Sequence, residues 1–212
     1  MFHFKNANSA FCYFYDQIQW YGTRIENTMA LLNVGFYLDC PSENLITAPF
    51  RNWKQDYAQL EWAWYLSGNP SAKEISKHAP LWLKHMNAKD EVNSNYGYQW
   101  MRNGQIDYVV EELKRNPQSR RALLTIYDGK ENSNYEKDTP CTLNIGFTVT
   151  DNKLNMTVMM RSNDLWYGFC NDQFCFSKLQ KLIADRLSIE TGWYYHFANN
   201  LHLYNNKLNK ND

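Results

Sequence analysis

The chain has 212 residues, of which 44% are hydrophobic and 16% aromatic, so we expect one domain with a core of ordinary size. Its 22 Lys and Arg residues balance 22 Asp and Glu residues. This zero net charge argues against a general nucleic-acid or membrane-surface binder, which needs an excess of positive charge, but leaves room for a local basic pocket for one small anion.

The first half of the chain predicts a strand and several helices. Residues 28–39 are apolar and partly β-branched or aromatic, which is typical of a strand. Residues 52–66 carry apolar side chains at helical spacing and stop at the sequence SGNP. A weaker helical stretch follows and is interrupted by Pro80. Residues 104–115 predict an amphipathic helix because apolar side chains recur at i, i+3, i+4 and i+7: Ile106, Val109, Val110 and Leu113.

The second half predicts three extended segments, a helix and a final strand. SRRALLTIY (119–127) is short and apolar after its arginines, whereas CTLNIGFTVT (141–150) and LNMTVMMR (154–161) alternate so that each presents one apolar face. FCFSKLQKLIADRL (174–187) returns to the helical period, and GWYYHFANNLHLY (192–204) predicts a strand. We therefore predict one α+β domain over residues 1–212, with a mixed main β-sheet covered by helices and a flexible tail at 205–212.

The cysteines and histidines show no pattern of a metal site. The five cysteines are irregularly spaced, no pair has the CxxC spacing of a zinc site, and the histidines form neither HxxxH nor HExxH. The start, MFHFKNANSAFCYFYDQIQW, lacks the apolar core of a signal peptide, and no window approaches the length of an apolar membrane span. We expect a cytoplasmic protein with free thiols and no bound metal.

A few residues suggest chemistry, each with a plainer alternative. Cys141 follows Pro140 at a strand start; a lone cysteine is most often a small buried hydrophobe and less often a nucleophile. Glu61 lies among tryptophans and a tyrosine on a helix, where it is either at the polar boundary or buried with a raised pKa that would suit proton transfer.

Other residues suit an anion or a sugar. Arg120 and Arg121 are adjacent at the start of a predicted strand and are either solvated or bind an anion. Arg161 and its neighbour Ser162, at another strand end, carry the guanidinium and hydroxyl groups that suit phosphate oxygens. His202 shares a strand face with Tyr204, and the pair would bond a sugar or fill a polar seam.

Six segments in order resemble the successive motifs of the thymidylate synthase family. They are LEWAWYLSG, SNYGYQW, NPQSRRALLTIY, PCTLNIGF, RSNDLWYGFCND and LHLY, and the resemblance covers residues 51–204. It implies a homodimer formed through the sheet, acting on a pyrimidine 5′-monophosphate with 5,10-methylenetetrahydrofolate as co-substrate and no metal, nucleic acid or membrane partner.

The resemblance also implies roles for individual residues. Cys141 matches the nucleophile that adds to C6 of the base, and Glu61 the carboxylate that relays protons. The residues that match substrate contacts are Arg24, Arg161, Ser162, Asn163, His202 and Tyr204, with Arg120 and Arg121 reaching the phosphate across the dimer. The residues that match the folate site are Trp82, Asp164 and Gly168, and Asp164 also belongs to the base site.

Asp172 stands where thymidylate synthases carry asparagine, whose amide satisfies the N3–H and O4 of uracil. Cytosine has an amino group at C4, and its N3 gains a proton as C6 is attacked, so two donors call for a partner that accepts. Thr142 replaces the histidine that usually follows the nucleophile. At these positions the sequence resembles the phage deoxycytidylate hydroxymethylases. The resemblance implies a dCMP 5-hydroxymethyltransferase that serves a modified phage genome in a bacterial host.

Three alternatives stay open at this point. One is a uridylate enzyme, either a thymidylate synthase or a dUMP hydroxymethylase, against which Asp172 and Thr142 speak. Another is a CMP hydroxymethylase or a dCMP methylase. The third is a nucleotide-binding homologue without catalysis, suggested only by the eight residues between Tyr204 and the end of the sequence, where the family has a longer segment that closes over folate.

Overall fold

The fold is known from a computed structural model, which describes residues 1–135 and 137–208. In chain order its elements are β1 (Phe2–Phe4), α1 (Ala7–Tyr21), β2 (Thr23–Ile25), β3 (Thr28–Leu38), α2 (Gln55–Leu66), α3 (Tyr96–Met101), α4 (Gln105–Arg115), β4 (Leu123–Thr125), β5 (Thr142–Thr150), β6 (Lys153–Met160), β7 (Asn163–Asp164), α5 (Phe169–Leu187) and β8 (Glu190–Tyr204). Short 3-10 helices lie at Ile75–Lys77, Pro80–Lys84, Arg102–Gly104, Gly129–Asn134 and Asn205–Lys207. The last four residues of the predicted flexible tail, 209–212, lie outside the described residues.

One mixed sheet runs through the domain. Its strand order is β1-β3-β8-β6-β5-β4, with β2 paired to β3 and β7 paired to β8. Strand β8 is antiparallel to β3 and parallel to β6, so it joins the two halves of the sheet. The predicted α+β class with a mixed main sheet is confirmed, and dimerisation through that sheet stays a prediction.

The strands β5 and β6 bury the faces that the alternation predicts. Ile145 pairs with Val158 and Phe147 with Met156, and all four side chains are buried. Helix α5 packs against β6 and β8, and it buries apolar side chains from Phe169 to Ala184. Each large apolar side chain removed from water contributes about 1.5–3 kcal/mol. None of the helices in the described ranges is both long and apolar enough to cross a membrane.

Some boundaries differ from the sequence analysis. Helix α1, for which the sequence analysis predicts no element, buries Phe11, Phe14 and Ile18 and is capped by the Asn6 side chain. Helix α5 begins at Phe169, five residues before the predicted start at Phe174. Its first turn carries polar residues that break the apolar period because they face other protein groups rather than water.

Helices α2 and α3 lie in direct backbone contact at Gly97. A Cβ atom there would lie 1.8 Å from the carbonyl oxygen of Tyr65, so only glycine fits. This close approach holds Tyr96, at the start of α3, against Tyr65, near the end of α2. Glu61 lies one helical turn before Tyr65, so the same contact positions both α2 side chains.

Candidate active site

Cys141 lies immediately before β5 and beside the end of β6, where it contacts Arg161. The backbone N–H of Arg161 donates to the carbonyl oxygen of Cys141 at 2.8 Å. The guanidinium donates to the carbonyl oxygens of Pro140 (3.0 Å) and Thr139 (2.9 Å), and Nη2 lies 3.7 Å from Sγ of Cys141. Arg161 therefore fixes the backbone that carries the thiol and brings positive charge to it.

The thiol of Cys141 is nevertheless held in its protonated form. Burial raises its pKa to about 11, the charge of Arg161 opposes this rise, and the negative charges of Asp172, Asp138 and Asp164 add to it. Arg161 is the cation that lowers the pKa of the thiol, and its effect is outweighed by burial.

Asp172 lies in the first turn of α5, where the helix dipole favours an acidic residue. Its Oδ2 accepts a 2.8 Å hydrogen bond from Nδ2 of Asn163, whereas Oδ1 accepts none from the described residues. Burial raises its pKa well above the usual range, and the charge of Glu61 raises it further. A Cβ at Gly168 would lie 3.3 Å from Oδ2, so this glycine leaves room for the carboxyl.

Glu61 is buried on α2, which decides between the two alternatives that the sequence leaves open. Its Oε1 accepts a 2.9 Å hydrogen bond from the hydroxyl of Tyr65, and Oε2 has no partner among the described residues. Burial raises the pKa of Glu61 to about 7, against the opposing effect of the Tyr65 hydrogen bond. A carboxyl with this pKa exchanges protons readily near neutrality.

Sheet pairing brings the predicted sugar and phosphate ligands together. Asp164 on β7 pairs with His202 on β8. Arg24 on β2 pairs with Met29 on β3, and Met29 pairs with Leu203 on β8. Leu203 lies between His202 and Tyr204, so Arg24 is on the neighbouring part of the sheet. Burial raises the pKa of Asp164 and lowers that of His202. Asp164 Oδ1 also accepts from the backbone N–H groups of the two residues that follow Leu165.

Trp82 is connected to Glu61 through Tyr57. Its Nε1 donates to the hydroxyl of Tyr57 at 2.9 Å, and the pKa of Tyr57 is raised by burial and then by the charge of Glu61. Leu81 and Leu83, on either side of Trp82, are exposed. Trp82 itself is half-buried, so this segment presents a partly exposed aromatic and aliphatic surface.

Arg120 and Arg121 do not join this group. Both are exposed, in the loop before β4, and β5 separates β4 from β6. Neither makes an ion pair within residues 1–135 and 137–208. The strand also begins later than predicted, at Leu123, so the arginines precede it. In the described part of the chain, no group of three or more His, Cys, Asp or Glu side chains is placed to hold a metal.

Two buried residues near the site are absent from the sequence-based set. The pKa of Tyr96, on α3, is raised by burial and then by the charge of Cys141. His196 lies on β8, with Nε2 3.1 Å from Oδ1 of Asn163. The available signal was a histidine between Tyr194 and Ala198 on an alternating strand, and both of these neighbours on its face are buried.

The thymidylate synthase family model matches residues 22–212. The chain belongs to the thymidylate synthase family. It is 36% identical over 140 residues to the deoxycytidylate 5-hydroxymethyltransferase of Enterobacteria phage T4, a match that covers 61% of this chain and 56% of that protein. It is 27% identical over 187 residues to the thymidylate synthase of Bacillus licheniformis, covering 84% of this chain and 67% of the relative.

Membership of the thymidylate synthase family confirms the resemblance read from the motifs. A third relative, the deoxyuridylate hydroxymethyltransferase of Pseudomonas phage M6, is 27% identical over 176 residues, which cover 80% of this chain and 50% of that protein. The chain therefore spans little more than half the length of its phage relatives. Since these relatives are named for different bases, the similarity does not establish which base this chain binds.

Proposed function

We propose that this chain is a deoxycytidylate 5-hydroxymethyltransferase, a folate-dependent enzyme that makes 5-hydroxymethyl-dCMP. The observation that supports it most strongly is the setting of Asp172. The charge of Glu61 raises the pKa of the Asp172 carboxyl, and the charge of Asp172 in turn raises the pKa of the Cys141 thiol. One oxygen of Asp172 is left without a hydrogen bond from the described residues. Thr142 after the nucleophile and the similarity to the phage T4 protein are further support.

The raised pKa of Asp172 matches the chemistry of a cytosine edge. Neutral cytosine presents N3 as an acceptor and its amino group as a donor. A protonated Asp172 donates to N3 and accepts from the amino group; once the proton has moved to N3, the carboxylate accepts from both. Uracil instead presents N3–H and O4; a protonated Asp172 can pair with both, but its carboxylate form is repelled by the lone pairs of O4, so the discrimination lies in the proton transfer to N3 that only cytosine allows.

Cys141 would form the covalent bond. Its thiolate adds to C6, which turns C5 into a nucleophilic enamine carbon. Methylenetetrahydrofolate, when bound, supplies the one-carbon unit, and Trp82, Asp164 and Gly168 would contact it. Glu61, with its pKa of about 7, would move protons around the base and to or from the water that adds to the exocyclic methylene on C5.

The phosphate would be held by residues of two subunits. Arg161 and Ser162 would bind it from the same chain, with Arg24 nearby, and the ribose would contact His202 and Tyr204. We propose a homodimer formed through the sheet, in which Arg120 and Arg121 reach the phosphate of the other subunit. Their exposure and their lack of an ion pair in the described residues are compatible with this role. The expected setting is the cytoplasm of a phage-infected bacterium.

A uridylate enzyme is the second candidate. The match to the Bacillus licheniformis thymidylate synthase extends over 187 residues, against 140 for the phage T4 protein, which favours a dUMP substrate. Asp172 speaks against it. The identity of the product shows whether the final step is hydration or hydride transfer.

Tritium release from C5-labelled dCMP and dUMP, with methylenetetrahydrofolate present and the product identified by mass, tests the proposal. Release from dCMP with a hydroxymethyl product is the expected result. A methyl product would change the final step to hydride transfer, and release from dUMP alone would replace cytosine by uracil. A chain that binds dCMP without releasing tritium would be a non-catalytic homologue. A parallel assay with CMP determines whether the sugar must be deoxyribose.

A further inference from the structure

A chain of buried polar groups leads from the core to Asp172. His196 is fully buried, with its ring stacked on Phe36 at 5.2 Å and edge-on to Phe169 at 5.9 Å between ring centroids. Its Nε2 lies 3.1 Å from Oδ1 of Asn163, whose Nδ2 donates to Oδ2 of Asp172 at 2.8 Å. Polar groups this deep in a core are costly unless they are hydrogen-bonded, so the arrangement constrains each partner.

The partners of His196 determine which ring nitrogen carries the proton. Burial lowers the pKa of His196 to about 3, so near neutrality the ring has one N–H. Oδ1 of Asn163 only accepts hydrogen bonds, so Nε2 must be the donor. Nδ1 then accepts, and the hydroxyl of Tyr194 at 2.8 Å and the amide nitrogen of Gln173 at 3.2 Å are both able to donate to it.

The same series of hydrogen bonds determines which oxygen of Asp172 carries its proton. Because Oδ2 accepts from the amide of Asn163, a proton on the carboxyl belongs on Oδ1, the oxygen with no hydrogen bond from the described residues. We propose that His196 is a positioning residue that holds the Asn163 amide in one orientation and thereby keeps the Asp172 proton on the oxygen available to N3 of cytosine. This inference rests on the proposed function, because it takes cytosine as the base.

The proton transfer balances without a further reagent. The Cys141 thiol first loses its proton to water. As the Sγ–C6 bond forms from the thiolate, the C5=C6 electron pair moves to C4–C5 and the C4=N3 pair moves to N3. The O–H bond of Asp172 breaks, an N3–H bond forms, and Asp172 becomes a carboxylate. If the Asn163 amide were turned over, its oxygen would face Oδ2 and attract the proton there, away from the base.

Two substitutions separate the donor function of His196 from its packing. His196→Phe keeps an aromatic ring against Phe36 and Phe169 but removes the N–H, whereas His196→Gln carries an amide N–H that can replace Nε2–H. We expect kcat for dCMP to fall about tenfold or more in H196F, with a smaller change in the Kd for dCMP, because general acid catalysis typically contributes at least a hundredfold. H196Q should recover most of the rate.

A matched control is Gln180→Met, which removes buried hydrogen bonds to backbone carbonyls elsewhere on α5. It should lower stability without changing the ratio of dCMP to dUMP turnover. A folded H196F with the wild-type rate on dCMP, or H196Q no better than H196F, would overturn the positioning role.

Nitrogen-15 NMR of the wild-type side chain tests the hydrogen-bond direction even if H196F does not fold. The Nε2–H tautomer is expected, and an Nδ1–H tautomer or an imidazolium would overturn the inference. The two levels of proposal fail differently. A wild-type protein that binds and converts dCMP no better than dUMP removes the proposed substrate and the role of Asp172 with it. A dCMP-selective wild type with an unaffected H196F removes only the role of His196.

Discussion

Nη2 of Arg161 lies 3.7 Å from Sγ of Cys141, while the same guanidinium donates to the carbonyl oxygens of Thr139 and Pro140. The charge is thus held in place by the backbone that precedes the thiol. It opposes the rise in the pKa of Cys141 to about 11 that burial causes, so Arg161 makes the thiol more acidic than its surroundings alone would allow.

Removing the charge of Arg161 should slow alkylation of Cys141. Arg161→Gln is expected to raise the pKa of the thiol further and to reduce the rate at each pH below about 11, since only the thiolate reacts. Arg161→Lys, which keeps the charge, should lie in between. The measurement is the rate of iodoacetamide modification at Cys141, followed by mass spectrometry. Arg186→Gln, which breaks an exposed ion pair with Asp107, is the control; equal rates in R161Q and R186Q would refute the electrostatic coupling.

Cys141→Ser should abolish tritium release while nucleotide binding is retained. The hydroxyl is similar in size but is a much weaker nucleophile, and the phosphate and ribose ligands are unchanged. Calorimetric titration with dCMP and the release assay measure the two properties separately. Cys40→Ser is a control on a partly exposed cysteine. A C141S variant with the wild-type rate would end the covalent mechanism.

Asp172→Asn should shift preference from dCMP towards dUMP. An amide matches N3–H and O4 of uracil, but it cannot give a proton to N3 of cytosine and leaves one donor of the N3-protonated cytosine unpaired, which costs about 1–3 kcal/mol or roughly ten- to a hundredfold in selectivity. The ratio of kcat/KM for the two nucleotides is the measurement. Asp107→Asn, at an exposed position on α4, controls for loss of a carboxylate. An unchanged ratio in D172N would remove the argument for cytosine.

Glu61 should make stability depend on pH with a defined sign. Its pKa is raised from 4.5 to about 7 in the folded chain, which therefore binds more protons than the unfolded chain between these values. The free energy of unfolding then decreases as pH rises through this range, by up to about 3 kcal/mol, and the loss persists above it. Glu61→Gln cannot titrate.

Urea unfolding of the wild type and of E61Q at about pH 5 and about pH 8 measures this contribution as the difference between the two proteins. The difference cancels the titration of His196, which both proteins share, and includes the part of the Asp172 titration that depends on the charge of Glu61. The wild type should lose stability relative to E61Q at the higher pH. Parallel pH dependences in the two proteins would show that Glu61 titrates normally in the fold.

The arginine pair permits a complementation test of the proposed dimer. Arg120→Gln/Arg121→Gln and Cys141→Ser should each be inactive or weak alone. When the two variants are unfolded and refolded together, random pairing makes half of the dimers mixed. One of the two sites in each mixed dimer has both Cys141 and a partner's intact arginines, so about a quarter of the wild-type activity should return. A mixture no more active than its components would place the arginines outside the neighbouring subunit's site.

Local pattern was sufficient for much of the fold. Helix α4 and strands β5 and β6 lie within a residue or so of their predicted positions, because each presents one apolar face to the core and a more polar opposite face, and so shows a clear period. The start of α5 was missed because its first turn, around Asn171 and Asp172, points polar groups at other protein groups. Periodicity read from sequence assumes that polar residues face solvent, and the assumption fails at a site.

The sequence by itself determined the family, through six motifs in order, and with it a set of expected site residues from Glu61 to Tyr204. Only the tertiary structure decided that Glu61 is buried with Oε2 unpartnered among the described residues, that the thiol of Cys141 is protonated despite Arg161, and that His196 reaches Asp172 through Asn163. The physical reason is that burial and hydrogen-bond direction depend on side chains far apart in sequence. Here they meet because β8 lies parallel to both β6 and β7.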